Sequence, residues 1–201
     1  MSGEVIKSFS SPGGYPTRLA FDGKFLLHTD GLPSIIFRLD LDGNVISSFS
    51  APGASPTGLS FDGRFLWYCD LGTDLFYQLD LGGNIIRSFG CPGTSPRGLC
   101  FDGKCLWHCD YTSDLIYQVD LDGNIIRSFG CPGGQPVDLA FDGKYLWHID
   151  NADKLIYQLD LDGNVISSFS TPGTEPRGLT FDGVYLWYCD DLSLLIYQLR
   201  I

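Results

Sequence analysis

The residues of this chain able to do chemistry are aspartate, histidine, cysteine, serine and arginine, and most of them return at intervals of forty. Asp40-Leu41-Asp42-Gly43-Asn44 crowds three oxygen-bearing side chains in the manner of a calcium loop. Such a loop requires glycine at its sixth position and a distant glutamate, and this sequence supplies neither. Asp30, Asp70, Asp110, Asp150 and Asp190 fill one column, where a carboxylate suits the backbone N–H groups of a following turn. The serines have no histidine with a third orienting group near them, and no glycine-rich phosphate loop, nucleophile elbow or histidine metal motif occurs. No metal, no cofactor and no catalytic residue is expected from linear motifs.

Those columns exist because a forty-residue unit runs through the chain without insertion or deletion. Phe21-Asp22-Gly23 returns at Phe61, Phe101, Phe141 and Phe181, so five copies of the unit run the length of the 201-residue chain. A period of this length marks a repeat architecture whose units bury their apolar faces against one another. In the third copy, Arg97-Gly98-Leu99-Cys100-Phe101 alternates as a strand does, and Lys104 to Cys109 forms a second run suited to a pleated sheet. Asp102-Gly103 between them predicts a two-residue hairpin of type I′, with positive φ at both residues. Leu115 to Leu121 and Asn124 to Phe129, joined at Asp122-Gly123, complete four short antiparallel strands, the content of a propeller blade. The chain opens with a lone fourth strand, Glu4 to Phe9, and closes on a copy that lacks one; Ile201 and Met1 hold the same place in the period. The expected fold is all-β: a closed five-bladed β-propeller, four antiparallel strands per blade, one domain over 1–201, with the N-terminal strand completing the last blade.

That architecture decides the bland columns. His28, His108 and His148 share a column with Tyr68 and Tyr188, and equivalent second-strand positions on adjacent blades lie on the order of 10 Å apart given strand spacings of roughly 4.8 Å. Zinc ligands must lie about 2.0 to 2.1 Å from one centre, so these rings are read as polar tips bonded locally between blades. Trp67, Trp107, Trp147 and Trp187, with Leu27 in the first copy, are read as blade packing. The seven cysteines sit where other copies carry serine, alanine, threonine, isoleucine or an aromatic ring, the pattern of small buried thiols rather than a disulfide framework. A reducing compartment, the cytoplasm, is the expected location.

Ser95-Pro96-Arg97-Gly98-Leu99, Leu106-Trp107-His108-Cys109-Asp110, Ile116-Tyr117-Gln118-Val119-Asp120 and Asp122-Gly123-Asn124-Ile125-Ile126-Arg127-Ser128-Phe129-Gly130 resemble the NHL and YVTN class of propeller repeats. The resemblance covers all five units. It implies a propeller, in a class that includes binding platforms and several kinds of enzyme. NHL repeats usually carry Asn and Arg shortly after the Asp that ends the second strand, whereas Asp110 is followed by Asp114, Leu115 and Ile116. RNA-binding members use positive surfaces. Here 24 acids, all but Glu4 and Glu175 being aspartate, outweigh 13 Lys and Arg to give a net charge of -11. Neither nucleic acid nor membrane is therefore an expected partner, and the protein is expected to be monomeric.

Subtracting the period leaves the loops that vary. Both Asp-Gly turns of a blade point to one end, while the strand-two-to-three loops and the inter-blade loops point to the other, where copies differ most. At the inner edge of that variable face stand Thr17-Arg18, Thr57-Gly58, Arg97-Gly98, Val137-Asp138 and Arg177-Gly178. Arg18, Arg97 and Arg177, with Thr17 and Thr57, are the candidate ligand-binding residues for an anionic group, and Asp138 is expected to orient an arginine or a polar ligand atom. The function expected is a non-catalytic binding or scaffold propeller that offers this face to a small ligand or a protein. The alternatives are a propeller enzyme of cyclotransferase or lactone hydrolase type, and an amplified or designed repeat without a ligand.

Overall fold

The computed structural model describes residues 3–201, and the place assigned above to Met1 lies outside them. The N-terminal strand β1 (Glu4–Ser10) is followed by β2 (Pro16–Phe21), β3 (Leu26–Asp30), β4 (Ile35–Leu39) and β5 (Val45–Ser50), which form one antiparallel sheet. The same four-strand sheet recurs as β6 (Pro56–Phe61), β7 (Leu66–Asp70), β8 (Leu75–Leu79) and β9 (Ile85–Gly90). It recurs again as β10 (Pro96–Phe101), β11 (Leu106–Asp110), β12 (Leu115–Val119) and β13 (Ile125–Gly130), and as β14 (Pro136–Phe141), β15 (Leu146–Asp150), β16 (Leu155–Leu159) and β17 (Val165–Ser170). The last sheet has the order β1-β20-β19-β18, built from β18 (Pro176–Phe181), β19 (Leu186–Asp190) and β20 (Leu195–Arg200). Innermost strands neighbour one another from β2 through β6, β10, β14 and β18 back to β2. The fold is a closed five-bladed propeller. Glu4↔Arg200 through Ser10↔Leu195 is the register that closes it.

Neighbouring blades pack through five apolar clusters, each joining two blades. Second strands are buried along their whole length because both faces of the blade are covered. The turns differ from the type I′ expectation. Gly23, at φ 92°, enters the left-handed region, whereas Asp22 does not. Asp22 instead turns its Oδ1 back to accept the N–H groups of Lys24 and Phe25, and its own N–H donates to the Phe25 carbonyl. The side chain closes a longer loop that the dipeptide signal alone treats as two residues.

The other oxygen of that aspartate ties the turn to the second strand. Asp62, Asp102, Asp142 and Asp182 each accept the indole N–H of Trp67, Trp107, Trp147 and Trp187 through Oδ2. The first copy has Leu27 instead of tryptophan, and its cross-strand partner is Arg38 instead of glutamine. Arg38 pairs with Asp22 Oδ2 and lies over the Phe25 ring, taking the place of the missing indole donor. Two exceptions to the repeat are thus one compensated exchange.

Leu27→Trp and Arg38→Gln are expected to destabilise singly, each by about 1–3 kcal/mol, because one crowds and the other vacates Asp22. Together they restore the pattern of the other blades, and the double variant should unfold in urea within about 1 kcal/mol of the parent. Additive losses would contradict the exchange.

Candidate functional site

An innermost strand pairs on one side only, so its other edge turns backbone groups toward the axis. Alternate residues face that way, and N–H and C=O of one residue point together. The side chains at the axis sort themselves accordingly. Arg18, Gly58, Gly98, Asp138 and Gly178 form one ring of five equivalent positions. Arg18 is 3% exposed; its Nε donates to the Thr57 carbonyl at 2.6 Å, and its Nη1 to the carbonyls of Thr17 at 2.7 Å and Arg177 at 2.5 Å. Asp138 is fully buried and accepts three amides, from Leu139 at 2.9 Å and Leu99 at 3.3 Å on Oδ1 and from Leu179 at 2.9 Å on Oδ2. The cation sits among inward carbonyls and the anion among inward amides one step further along the strands.

Glycine is required opposite these two side chains. A Cβ on Gly98 would stand 2.4 Å from Asp138 Cα, and one on Gly178 2.9 Å from Arg18 Cα, both backbone atoms that cannot yield. Together the five positions plug the channel.

Above the plug, at the variable face, lies a cavity of about 190 Å³ lined by Arg18, Arg97, Tyr111, Gln135, Pro136, Val137, Asn151 and Arg177. Arg18, Arg97 and Arg177 therefore do converge. Their states differ. Arg177 is held by Asp191 at 3.0 Å, whereas Arg97 lies over the Tyr111 ring, 5.3 Å from its centroid, and its Nε is buried with no acceptor. Burial, followed by the charges of Arg18 and Arg177, lowers the proton affinity of Arg97. The charge of an arriving anion would offset both causes.

The loops around the cavity are fixed by the Asp30 column. Asp110 Oδ2 accepts the N–H of Ser95 in the inter-blade loop, and its Oδ1 accepts that of Ser113 in the next loop. Asp30, Asp70, Asp150 and Asp190 repeat the clasp. The second contact is the one expected of an aspartate before a turn, whereas the first, whose donor lies 15 residues upstream, carries no local signal.

Three expectations change. Asp138 orients no arginine: it forms no ion pair within 4.0 Å, and its oxygens are taken by backbone amides that carry no signal in sequence. Thr17 Oγ1 turns to Thr29 and Thr57 Oγ1 to the Cys69 carbonyl, so these two residues reach the axis through their carbonyls. Arg18 is largely sealed and forms the floor, leaving Arg97 and Arg177 as the walls.

The histidine column follows its reading at two of three positions. His28 and His108 bond locally, to Ser11 and to backbone carbonyls, while both ring nitrogens of His148 lack a partner; burial pushes all three down to about 4. All seven cysteines are free thiols. Among the described residues no cluster of three His, Cys, Asp or Glu could hold a metal, and no helix is long and apolar enough to cross a membrane.

Burial raises the Asp138 carboxyl to about 7, against the pull of Arg18 and the three amides. The folded state then holds this proton to a higher pH than the unfolded chain, so between about pH 4 and pH 7 Asp138 makes stability fall as pH rises. The histidines act with the opposite sign up to about pH 6.5, and the lowered carboxyls of Asp40, Asp80, Asp120 and Asp160 act below about pH 4. The difference in unfolding free energy between the parent and Asp138→Asn isolates the aspartate. That difference should change by a few kcal/mol across pH 4 to 7 and be flat above; a constant difference would refute the assignment.

No family model matches the chain, and no curated protein matches it by sequence. Solved structures do. A glutaminyl cyclase of Myxococcus xanthus superposes with a TM-score of 0.82 at 14% identity, over 98% of this chain and 95% of that one. A virginiamycin B lyase of Staphylococcus aureus gives 0.59 at 21% identity, over 96% and 68% of the two chains. A nidogen/laminin complex gives 0.64 at 23% identity, over 87% and 72%. Enzymes and a protein complex share this architecture, and at these identities the likeness is one of propeller fold.

Proposed function

We propose that this protein is a non-catalytic binding propeller of the NHL/YVTN-like class whose variable-face cavity takes a small anion. The observation that carries the reading is Arg97, a guanidinium with a buried, acceptor-free Nε and no ion pair among the described residues, which lines one cavity with Arg18 and Arg177. Buried donors without acceptors are costly, and a carboxylate or phosphate oxygen is the group that a guanidinium accommodates best. The volume of about 190 Å³ equals roughly six waters, enough for an oxoanion on a body of a few heavy atoms. Val137 and Pro136 give that body an apolar surface, and the Asn151 and Gln135 amides a polar one.

The overlay with a glutaminyl cyclase along nearly the whole of both chains raises the enzyme reading. Acid–base chemistry needs a group within reach of the ligand. Asp138, in the plug, is fully buried on three amides, Asp191 is engaged by Arg177, and the lining side chains are guanidinium, amide, phenol and apolar groups. This arrangement favours holding a ligand over transforming it. The unpaired thiols suit a reducing compartment, and the closed ring suits a monomer.

The Arg97 guanidinium makes no hydrogen bond to the described residues, so Arg97→Gln is expected to leave thermal stability unchanged or raise it slightly. The same substitution should weaken binding of small carboxylates and phosphates, titrated calorimetrically, by tenfold or more, and Arg177→Gln should weaken it less. Absence of binding across the panel, or equal affinity in Arg97→Gln, would overturn the proposal.

A further inference from the structure

The channel continues below the plug. There a second cavity of about 80 Å³ is lined by the Leu59, Leu99, Leu139 and Leu179 positions, by the Ala20, Ser60, Cys100, Ala140 and Thr180 ring, and by the five phenylalanines that end the inner strands. Leucine names suggest an apolar hole, yet the leucine side chains are elsewhere. Leu19, Leu59, Leu99, Leu139 and Leu179 are each 0–1% exposed and each belongs to a different inter-blade core cluster. What they turn to the channel is backbone.

Its polarity follows from the plug itself. The N–H groups of Leu99, Leu139 and Leu179 point inward, because all three donate to Asp138 at the axis. In an extended strand the carbonyl of the same residue points to the same side. The leucine carbonyls therefore form an inward ring directly below the Asp138 carboxylate. In the equivalent ring above, carbonyls of Thr17, Thr57 and Arg177 receive the Arg18 guanidinium. The lower ring has small side chains beside it, and no charged residue among those described lines it. Asp138, meanwhile, has no cationic side chain within 4.0 Å.

We propose that this lower cavity is a site for a monovalent hard cation of the sodium or potassium class, coordinated by the leucine backbone carbonyls beneath Asp138. Neutral oxygens are the ligands such ions prefer, and a cation below Asp138 would add to the pull that Arg18 exerts on this buried carboxyl from above. The volume admits the ion with one or two waters. The one thiol at the cavity, Cys100, is held protonated by burial and offers no soft thiolate ligand. The upper cavity and this one lie on opposite sides of the Arg18–Asp138 plug, so the anion reading and the cation site stand or fall separately.

Crystals of the full chain soaked in rubidium chloride, calcium chloride or sodium bromide test the site by anomalous scattering. Rubidium signal at the axis between the leucine carbonyls and Asp138 is expected. Calcium in its place, bromide there, or density at the level of water in every soak would each overturn the proposal. In solution, potassium chloride should raise the thermal midpoint saturably relative to tetramethylammonium chloride at equal ionic strength. Asp138→Asn should weaken that response at least tenfold, and an unchanged response would contradict the role given to Asp138.

Discussion

Five strand edges that cannot pair with one another meet at the axis of this molecule, and everything distinctive about its centre follows from satisfying them. Each innermost strand uses one edge on its own blade and presents the other, with alternating carbonyl and amide levels, to the channel. Buried backbone groups left without partners cost free energy comparable to a lost hydrogen bond each. Arg18 answers one level of carbonyls and Asp138 one level of amides, and three glycines let the strands come close enough for a single side chain to reach several blades. Fivefold repetition alone could not do this, because five arginines or five aspartates would not fit. The ring must be broken to be filled.

The same logic of exception and compensation recurs outside the axis. A standard blade hangs its second strand on an aspartate that holds both the turn and an indole, and the first blade reaches the same end with a leucine and an arginine. On the opposite face one aspartate per blade holds two loops at once, which lets their other residues vary freely. Variability at that face rests on a constant carboxylate underneath, and the cavity bordered by Arg97 and Arg177 is built from what the clasp leaves free.

Much of the fold was legible in the sequence because a repeat averages over its own copies. Strand number, blade number and ring closure followed from the period and from where Glu4 to Phe9 falls in it, and β1 pairs with β20 as that phase requires. The convergence of Arg18, Arg97 and Arg177 was legible as a place, since all three open an inner strand. Their separate roles were not. Arg18 and Arg97 are adjacent columns on a strand whose successive residues alternate, and whether a guanidinium finds carbonyls, a carboxylate or nothing depends on backbone atoms that every sequence possesses alike. For the same reason Asp138 reads in sequence as a group that orients an arginine or a polar ligand atom, and its oxygens accept three amides instead. The turn at Asp22-Gly23 departs from the dipeptide rule because the aspartate side chain, not its backbone, closes the loop.

The axis is a structure of backbone groups held by two side chains, so the most direct test is the protection of those groups. Native-state hydrogen exchange should be compared between the parent and Asp138→Gly, a residue the ring already carries at Gly58, Gly98 and Gly178. Selective loss of protection at the Leu99, Leu139 and Leu179 amides, tenfold or more beyond that of amides in β11, β15 and β19, is the predicted result. Unchanged protection at those three amides, or an equal loss throughout the blades, would contradict it.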